Sequence, residues 1–393
     1  MVNRSIKLSD NSDLFVFGAR GTGKSTLIED QFGHKNTLWI NLLKEDDERR
    51  FGKDPDELSK CLKLNSYDYV VIDEVQKFPK LLDIVHLEIE SKKSKRPYFI
   101  LSGSSARKLK RSGANLLAGR AFTNLLFPLT YFELKGNFNL NQVLQYGTLP
   151  FLFNLKNNET DKIKKEEYLR SYVSNYLKEE ILIEQLVRKI EPFKDFLEIA
   201  AQMNGEIINY SKISKEIGIS DQTVKTFFEI LSDTLVGFIL PSFNRSIRKQ
   251  QRESPKFYFF DLGVKRALDR TLTIPIINRP SEYGKAFEHF IILEIVRMSA
   301  YSKNDFKLSY LRTKENNEID LVIERPGQSD FLIEIKSTDL VTDQDVKSIA
   351  LISQDWDKKF EAQVWSQDPN KKLIRGITCL PWQDGLKQLF SIK

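Results

Sequence analysis

Gly18-Ala19-Arg20-Gly21-Thr22-Gly23-Lys24-Ser25 is the stretch on which the fold turns. It fits G-x-x-x-x-G-K-[ST] at every fixed position. Leu14-Phe15-Val16-Phe17 before it reads as a buried strand, and Ser25-Thr26-Leu27-Ile28-Glu29 after it as a helix start. That strand–loop–helix setting is the context the pattern needs. Glycines let the backbone approach a triphosphate closely, so that loop N–H groups point at the β-phosphate. Gly18, Ala19, Arg20, Gly21, Thr22, Gly23, Lys24, Ser25 and Thr26 are therefore the expected ATP-binding residues. Lys24 would reach the β/γ oxygens and the Ser25 hydroxyl would ligate Mg²⁺.

A second pattern supports the first. Val70-Val71-Ile72-Asp73-Glu74 is an apolar strand ending in two acids, 49 residues after Lys24. Asp73 at such a strand end can hold the Mg²⁺ shell, and Glu74 can polarise the attacking water. Ser102-Gly103-Ser104-Ser105 ends the next apolar strand. Ser104 or Ser105 could sense the γ-phosphate or simply cap a helix. Arg120, in Leu117-Ala118-Gly119-Arg120, could reach the ATP of a neighbouring subunit in a homo-oligomer or form a structural salt bridge.

Around these motifs, 393 residues suggest roughly two to four domains. No apolar run approaches the length of a membrane span, and no signal-peptide pattern follows Met1, so a cytoplasmic protein with no membrane partner is expected. Two cysteines far apart, Cys61 and Cys379, suggest a reducing compartment and no disulfide framework. Three histidines make a zinc site unpromising. The net charge of +6 suits an anionic partner without requiring one.

Residues 1–135 alternate apolar strands with polar or amphipathic helices, the pattern of a parallel sheet. Residues 136–192 read as a helical connecting region, with Lys162 to Val187 rich in Lys/Glu pairs at helical spacing. Residues 193–270 read as a winged helix-turn-helix. Its third helix, Asp221 to Leu231, places Val224, Phe227, Phe228 and Leu231 on one face. Gln222, Thr223, Lys225 and Thr226 lie opposite, able to reach base edges or phosphates of DNA. The wing would be the basic loop from Asn244 to Arg252. Packing between domains is the alternative role for this module. Asn278-Arg279-Pro280-Ser281 reads as a linker to a domain at 281–393.

That last domain holds a second constellation: Glu288 on a helix, Asp320 in Glu318-Ile319-Asp320-Leu321-Val322-Ile323, and Glu334-Ile335-Lys336. Period-2 geometry puts Glu334 and Lys336 on one strand face, and Asp320 on the paired strand can approach the same point. Glu288, Asp320 and Glu334 could hold Mg²⁺ or Mn²⁺ for phosphodiester cleavage, with Lys336 positioning the nucleophile or stabilising developing charge. Binding of nucleic acid without cleavage, or a surface salt bridge, would use the same residues. The D-x₁₃-E-x-K order after a Glu-bearing helix resembles the restriction-endonuclease-like PD-(D/E)XK nuclease fold, without a Pro before Asp320.

Gly18–Thr26, Val71–Gln76, Leu101–Ser105 and Leu117–Arg120 together resemble a family of prokaryotic AAA-type ATPases with a C-terminal region of unknown function. Phe127–Thr130 with Glu133, Gly147–Pro150, Pro255–Gly263 and Gly284–Glu288 continue the likeness over nearly the whole chain. Arg20-Gly21-Thr22 departs from the Arg-Gln pair many members carry before the final Gly-Lys. The resemblance implies an α/β chain: a P-loop AAA-type parallel-sheet ATPase domain, a helical and winged-helix middle, and a restriction-endonuclease-like α/β domain. Those motifs mark family membership and not a role; the residue constellations lead to the expectation of ATP binding and hydrolysis coupled to nucleic-acid binding and metal-dependent phosphodiester cleavage. A nucleotide-switched signalling or assembly protein is the alternative.

Overall fold

The computed structural model describes residues 2–91, 96–104, 117, 119–155, 158–177, 190–244, 253–356 and 359–392. Of the side chains of Tyr176, Leu177 and Ile190 nothing is described. The chain divides into two compact units. The first comprises Met1–Leu129, Leu149–Phe151 and Ile230–Val236. The second comprises Thr130–Thr148, Leu152–Glu229 and Gly237–Lys393.

The first unit is built on five parallel strands: β1 (Asp13–Phe17), β2 (Thr37–Asn41), β3 (Tyr69–Asp73), β4 (Tyr98–Gly103) and β5 (Ala121–Leu125). Their order is β2-β3-β4-β1-β5. β1 is buried along its whole length, as a central parallel strand covered on both faces must be. The helices are α1 (Lys24–Phe32), α2 (Glu45–Lys53), α3 (Asp56–Leu64) and α4 (Leu81–Glu90). α2 carries four acids in its first turn and Arg50 and Lys53 in its last, matching the helix dipole. Phe15, Ile40, Val70, Phe99 and Leu101 join Leu58, Leu82 and Val85 of the helices in one core.

In the second unit, Thr130 caps a single helical turn, Tyr131–Leu134, in a capping box with Glu133. α5 (Leu140–Tyr146) and α6 (Glu159–Ser171) follow, and α6 runs into a π-helical turn, Tyr172–Leu177. The rest of the expected helix to Val187 lies outside the described residues. α7 (Ile190–Gln202), α8 (Tyr210–Ile217) and α9 (Asp221–Asp233, whose residues from Ile230 on are counted in the first unit) precede an antiparallel pair, β6 (Gly237–Leu240) and β7 (Lys256–Phe259). Ser220 caps α9 as its sequence suggests, accepting from Thr223 N at 3.1 Å. Phe193, Phe196, Phe227, Phe228 and Phe257 pack ring against ring between the helices and the hairpin.

α10 (Leu262–Leu268) leads to α11 (Pro280–Tyr301). The expected linker at Asn278–Ser281 is instead a 3-10 turn ending at Asn278 and the start of α11. Pro280 opens a helix readily because its missing N–H would have no partner in the first turn. A six-stranded mixed sheet follows, formed by β8 (Lys307–Arg312), β9 (Glu318–Glu324), β10 (Asp330–Lys336), β11 (Phe360–Ser366), β12 (Lys372–Ile374) and β13 (Ile377–Pro381). Its order is β12-β13-β11-β10-β9-β8. β8, β9 and β10 pair antiparallel, whereas β10–β11 and β11–β13 are parallel. α12 (Lys347–Gln354) and α13 (Trp382–Leu389) complete the unit.

A buried polar network ties these elements together. Arg297 of α11 donates to Thr148 Oγ1 (2.9 Å) and the Phe260 carbonyl (2.8 Å). Asp261 accepts from the Thr148 N–H (2.7 Å) and caps α10 through Val264 N. Gly147 has a φ of +76°, and a Cβ there would lie 2.0 Å from Asp261 Oδ1. The Gly147-Thr148 and Asp261-Leu262-Gly263 motifs are thus two halves of one packing contact. His289 also belongs here. Its ring bonds Phe259 O (2.6 Å) and Asn204 Nδ2 (3.3 Å), and burial drives its pKa down to about 3, so it is a neutral packing residue. Among the described residues no helix is long and apolar enough to cross a membrane.

Candidate functional site

The glycine-rich loop of the first unit closes tightly at the C-terminal end of β1. A Cβ on Gly18 would lie 2.3 Å from the Leu126 carbonyl oxygen. Gly23 sits at φ +91°, a conformation L side chains rarely adopt, where the loop turns into α1. Thr22 is fully buried and donates to Ala19 O (2.8 Å). Arg4 braces the loop from outside, donating to Thr22 O (2.8 Å) and Phe127 O (2.6 Å). The Lys24 ammonium lies within the loop, 2.7 Å from Gly18 O and 3.3 Å from Ala19 O. Arg20, Gly21, Ser25 and Thr26 are exposed at the rim.

Because β4 lies between β1 and β3, the ends of all three strands converge on one point. Ser25 Oγ donates to Asp73 Oδ2 at 2.8 Å, and Ser102 Oγ donates to the other oxygen, Oδ1. Ser25 and Asp73 are the donor set expected for Mg²⁺: a hydroxyl and a carboxylate side by side next to the phosphate loop. Glu74 follows with φ +60°, a strained value for a non-glycine residue. Its carboxylate accepts from Gln76 Nε2, which also donates to Ser104 Oγ at 3.1 Å. Gln76 Oε1 is buried without a hydrogen-bond partner. Gln76 thus joins the proposed water-polarising acid to the proposed phosphate sensor. Ser105 lies outside the described residues. Arg120 forms an ion pair with Glu90 of α4.

Sequence reasoning missed Arg4, Gln76 and Ser102. Gln76 and Ser102 stood inside quoted motifs, but a residue acting on a neighbouring side chain leaves no spacing signal of its own.

The second unit assembles its own centre. Asp320 on β9 accepts from the Ile335 N–H of β10 at 2.7 Å. Glu334 and Lys336 share a strand face as the period-2 reading requires, with Lys336 Nζ 2.7 Å from Glu334 Oε1. Glu288 of α11 accepts from Tyr258 OH at 2.7 Å. Lys256 of β7 lies 3.7 Å from Glu288 and 2.5 Å from Glu318. Lys256, Glu318 and Tyr258 were not foreseen as members. Burial, then the charge of Glu334, pushes Asp320 up to about 7. Burial, then the charge of Asp320, pushes Glu288 up to about 7. Burial also raises Glu334, against the pull of Lys336. For Lys256 burial favours the neutral form, but Glu288, Asp320 and Glu318 outweigh it and hold the ammonium charged.

Among the described residues no group of three or more His, Cys, Asp or Glu side chains is arranged to hold a metal ion. Glu288 is engaged by Tyr258 and Lys256, leaving Asp320 and Glu334 as the better-placed pair. Mg²⁺ is commonly bound through only one or two carboxylates, with water and substrate phosphate completing its shell. Glu334 Oε2 is buried with no hydrogen-bond partner, an acceptor of the kind a cation would satisfy.

On the helical module, Gln222 and Lys225 of α9 are exposed, and Thr223 and Thr226 partly so. Lys225 Nζ lies over the Tyr210 ring at 5.3 Å. The expected wing falls outside the described residues from Arg245 to Arg252.

Residues 10–135 match a family model described as "AAA domain". Residues 137–273 and 283–384 match two models described as domains of unknown function, DUF8612 and DUF4143. An uncharacterized protein of Mycobacterium tuberculosis is 26% identical over 278 residues, covering 68% of this chain and 58% of the relative. The chain thus spans less than two thirds of that relative's length. An uncharacterized protein of Methanocaldococcus jannaschii is 24% identical over 374 residues, covering 85% of this chain and 77% of its own. Among solved structures, the Aeropyrum pernix ORC1 protein in complex with DNA has a TM-score of 0.33 at 14% identity, over 68% of this chain and 88% of that one. The Thermotoga maritima RuvB Holliday junction branch migration motor has a TM-score of 0.28 at 14% identity, over 63% and 84%. Scores this low carry no argument about role. The family match and the loop geometry agree on the first unit: it carries a nucleotide-binding P-loop ATPase domain of the AAA type.

Proposed function

We propose that this protein is a Mg²⁺-dependent ATPase that couples hydrolysis to nucleic-acid binding and phosphodiester cleavage by its second unit. The observation that supports the ATPase reading is the pair of side-chain chains Ser25–Asp73–Ser102 and Glu74–Gln76–Ser104, which link the residues proposed to hold metal, polarise water and sense phosphate. Loop N–H groups and Lys24 bind the phosphates, and Ser25 and Asp73 hold Mg²⁺. Glu74 orients the attacking water and accepts its proton, while Gln76 fixes the carboxylate. Glu74→Gln should keep ATP binding and lose hydrolysis by about a hundredfold or more, measured as phosphate release. Undiminished turnover would remove Glu74 from this role.

In the second unit, α9 would meet DNA through Gln222, Thr223, Lys225 and Thr226. Asp320 and Glu334 would hold Mg²⁺ or Mn²⁺, which when bound supplies Lewis acidity and an activated water. Lys336 stabilises the charge that develops on the phosphate. A second reading has a specific observation behind it. Lys256 already neutralises Glu288 and Glu318, as in a centre that binds a nucleic acid or protein partner without cutting. On that reading the protein is a nucleotide-switched assembly ATPase. Nucleic-acid cleavage that depends on Asp320 separates the two.

A further inference from the structure

β11 is fully paired along one edge and only partly along the other. It lies parallel to β10 over its whole length, from Phe360 to Ser366. β13 joins its other edge only from Gln363 onward. The Asp330 N–H donates to Lys359 O at 3.0 Å, and backbone groups along a strand alternate between its two edges. Lys359 and Glu361 therefore face β10, and the N–H groups of Phe360 and Ala362 face the edge that β13 leaves open. An open edge of this kind is a template for a further strand.

A cavity of about 540 Å³ lies at that edge. Ala362 packs against the core that holds Ile349 of α12, whereas Gln363 donates to Gln388 of α13, so successive side chains of β11 point to opposite faces of the sheet. Phe360, Glu361, Ala362 and Gln363 nevertheless all line the one cavity. A cavity that reaches both faces must lie beyond the edge of the strand. Ser353 of α12 and Gln388 of α13 also line it, so it has a helix on either side, as a slot for an extended chain would. Its charges favour one kind of occupant. Among the described residues, Glu361 is matched by Arg325 at 2.6 Å and Arg375 by Asp343, which leaves the exposed Lys371 as the charge for an occupant to answer.

We propose that the open edge of β11 is a docking site for an extended, acidic peptide segment of a partner protein, which adds as a strand beside Phe360–Ala362 and sets a carboxylate at Lys371. Three paired residues span roughly 10 Å, so a segment of about five residues fills the slot. Main-chain bonds to Phe360 and Ala362 supply the affinity, and side chains alternating between the α12 and α13 faces supply the specificity. The site lies at the opposite end of β11 from Ser366, the register partner of Lys336, and does not depend on the reading of the acidic centre.

The test is fluorescence anisotropy of the full-length protein with a capped, fluorescein-labelled Glu-Val-Thr-Val-Glu peptide. Lys-Val-Thr-Val-Lys, Glu-Pro-Thr-Pro-Glu and single-stranded oligothymidine are the comparison probes. The acidic peptide should bind about tenfold or more tightly than either other peptide. Ala362→Pro removes an N–H on the open edge and leaves the β10 pairing intact, and should weaken binding by about tenfold or more. Lys371→Glu should reverse the preference between the acidic and basic peptides. No binding of the acidic peptide at about 1 mM overturns the inference, as does equal binding of the proline peptide. Oligothymidine binding that is lost in Lys371→Glu, with no peptide bound, also overturns it and assigns the slot to nucleic acid. Should Ala362→Pro fail to fold, the proline peptide and Lys371→Glu, a surface change, carry the same test.

Discussion

Without metal, the second unit should lose stability as pH rises from about 4 to about 7, and Asp320→Asn should flatten that loss. In the fold, burial and then Glu334 push the Asp320 carboxyl up to about 7 from its ordinary 3.8. The unfolded chain titrates near the ordinary value. A carboxyl whose folded pKa is raised contributes its stability fully below the unfolded value and loses it as pH rises through the folded value. Between about pH 5 and 7 that is roughly two units at about 1.4 kcal/mol each, or about 3 kcal/mol. For a unit of this size the loss corresponds to roughly 6–12 °C in melting temperature. Asn keeps an oxygen for the Ile335 N–H but has no charge to titrate. It also relieves Glu288, whose pKa is raised second by the Asp320 charge. The assay is denaturant unfolding in EDTA at several pH values, followed by tryptophan fluorescence. Three of the four tryptophans, Trp356, Trp365 and Trp382, belong to the second unit, so the signal reports mainly on it. Equal pH slopes for wild type and Asp320→Asn would refute the reasoning.

Three further substitutions test other parts of the account. Gly18→Ala places a Cβ 2.3 Å from the Leu126 carbonyl and 2.9 Å from Thr22 Oγ1, so the loop must shift. A cost of about 1–3 kcal/mol and at least a tenfold loss of affinity for a fluorescent ATP analogue are expected, and unchanged affinity would contradict the loop geometry. Gly147→Ala meets Asp261 at 2.0 Å from a φ of +76°, and should cost about 3 kcal/mol or more by denaturant midpoint. A neutral result would show that the Asp261 contact can relax. Lys225→Ala should weaken duplex binding and lower the slope of log affinity against log salt by about one. An unchanged slope would take α9 off the nucleic acid.

Most of the parallel sheet of the first unit was legible because β1, β3 and β4 are built on apolar runs, whereas β5, Ala-Phe-Thr-Asn-Leu, is interrupted by polar residues and gave no strand signal. The phosphate loop was legible because its chemistry demands fixed residues at fixed spacing. Asp320, Glu334 and Lys336 were found through strand periodicity, and their strands bring them together. Gln76 and Lys256 escaped for a different reason. Each acts through another side chain, and only the tertiary fold shows which. Lys256 sits 32 residues before Glu288 on another element, a separation that carries no sequence pattern. The supposed linker at Asn278–Ser281 misled because Asn, Pro and Ser favour turns and helix starts alike, and here Pro280 starts α11.

The most direct test of the central claim is cleavage of single-stranded, duplex and branched DNA and of RNA with Mg²⁺ or Mn²⁺, with and without ATP, comparing wild type and Asp320→Ala. The account predicts metal-dependent cutting by wild type that Asp320→Ala abolishes while ATP hydrolysis persists. No cutting under any of these conditions, with ATP hydrolysis intact, would contradict it and leave the nucleotide-switched assembly protein in its place.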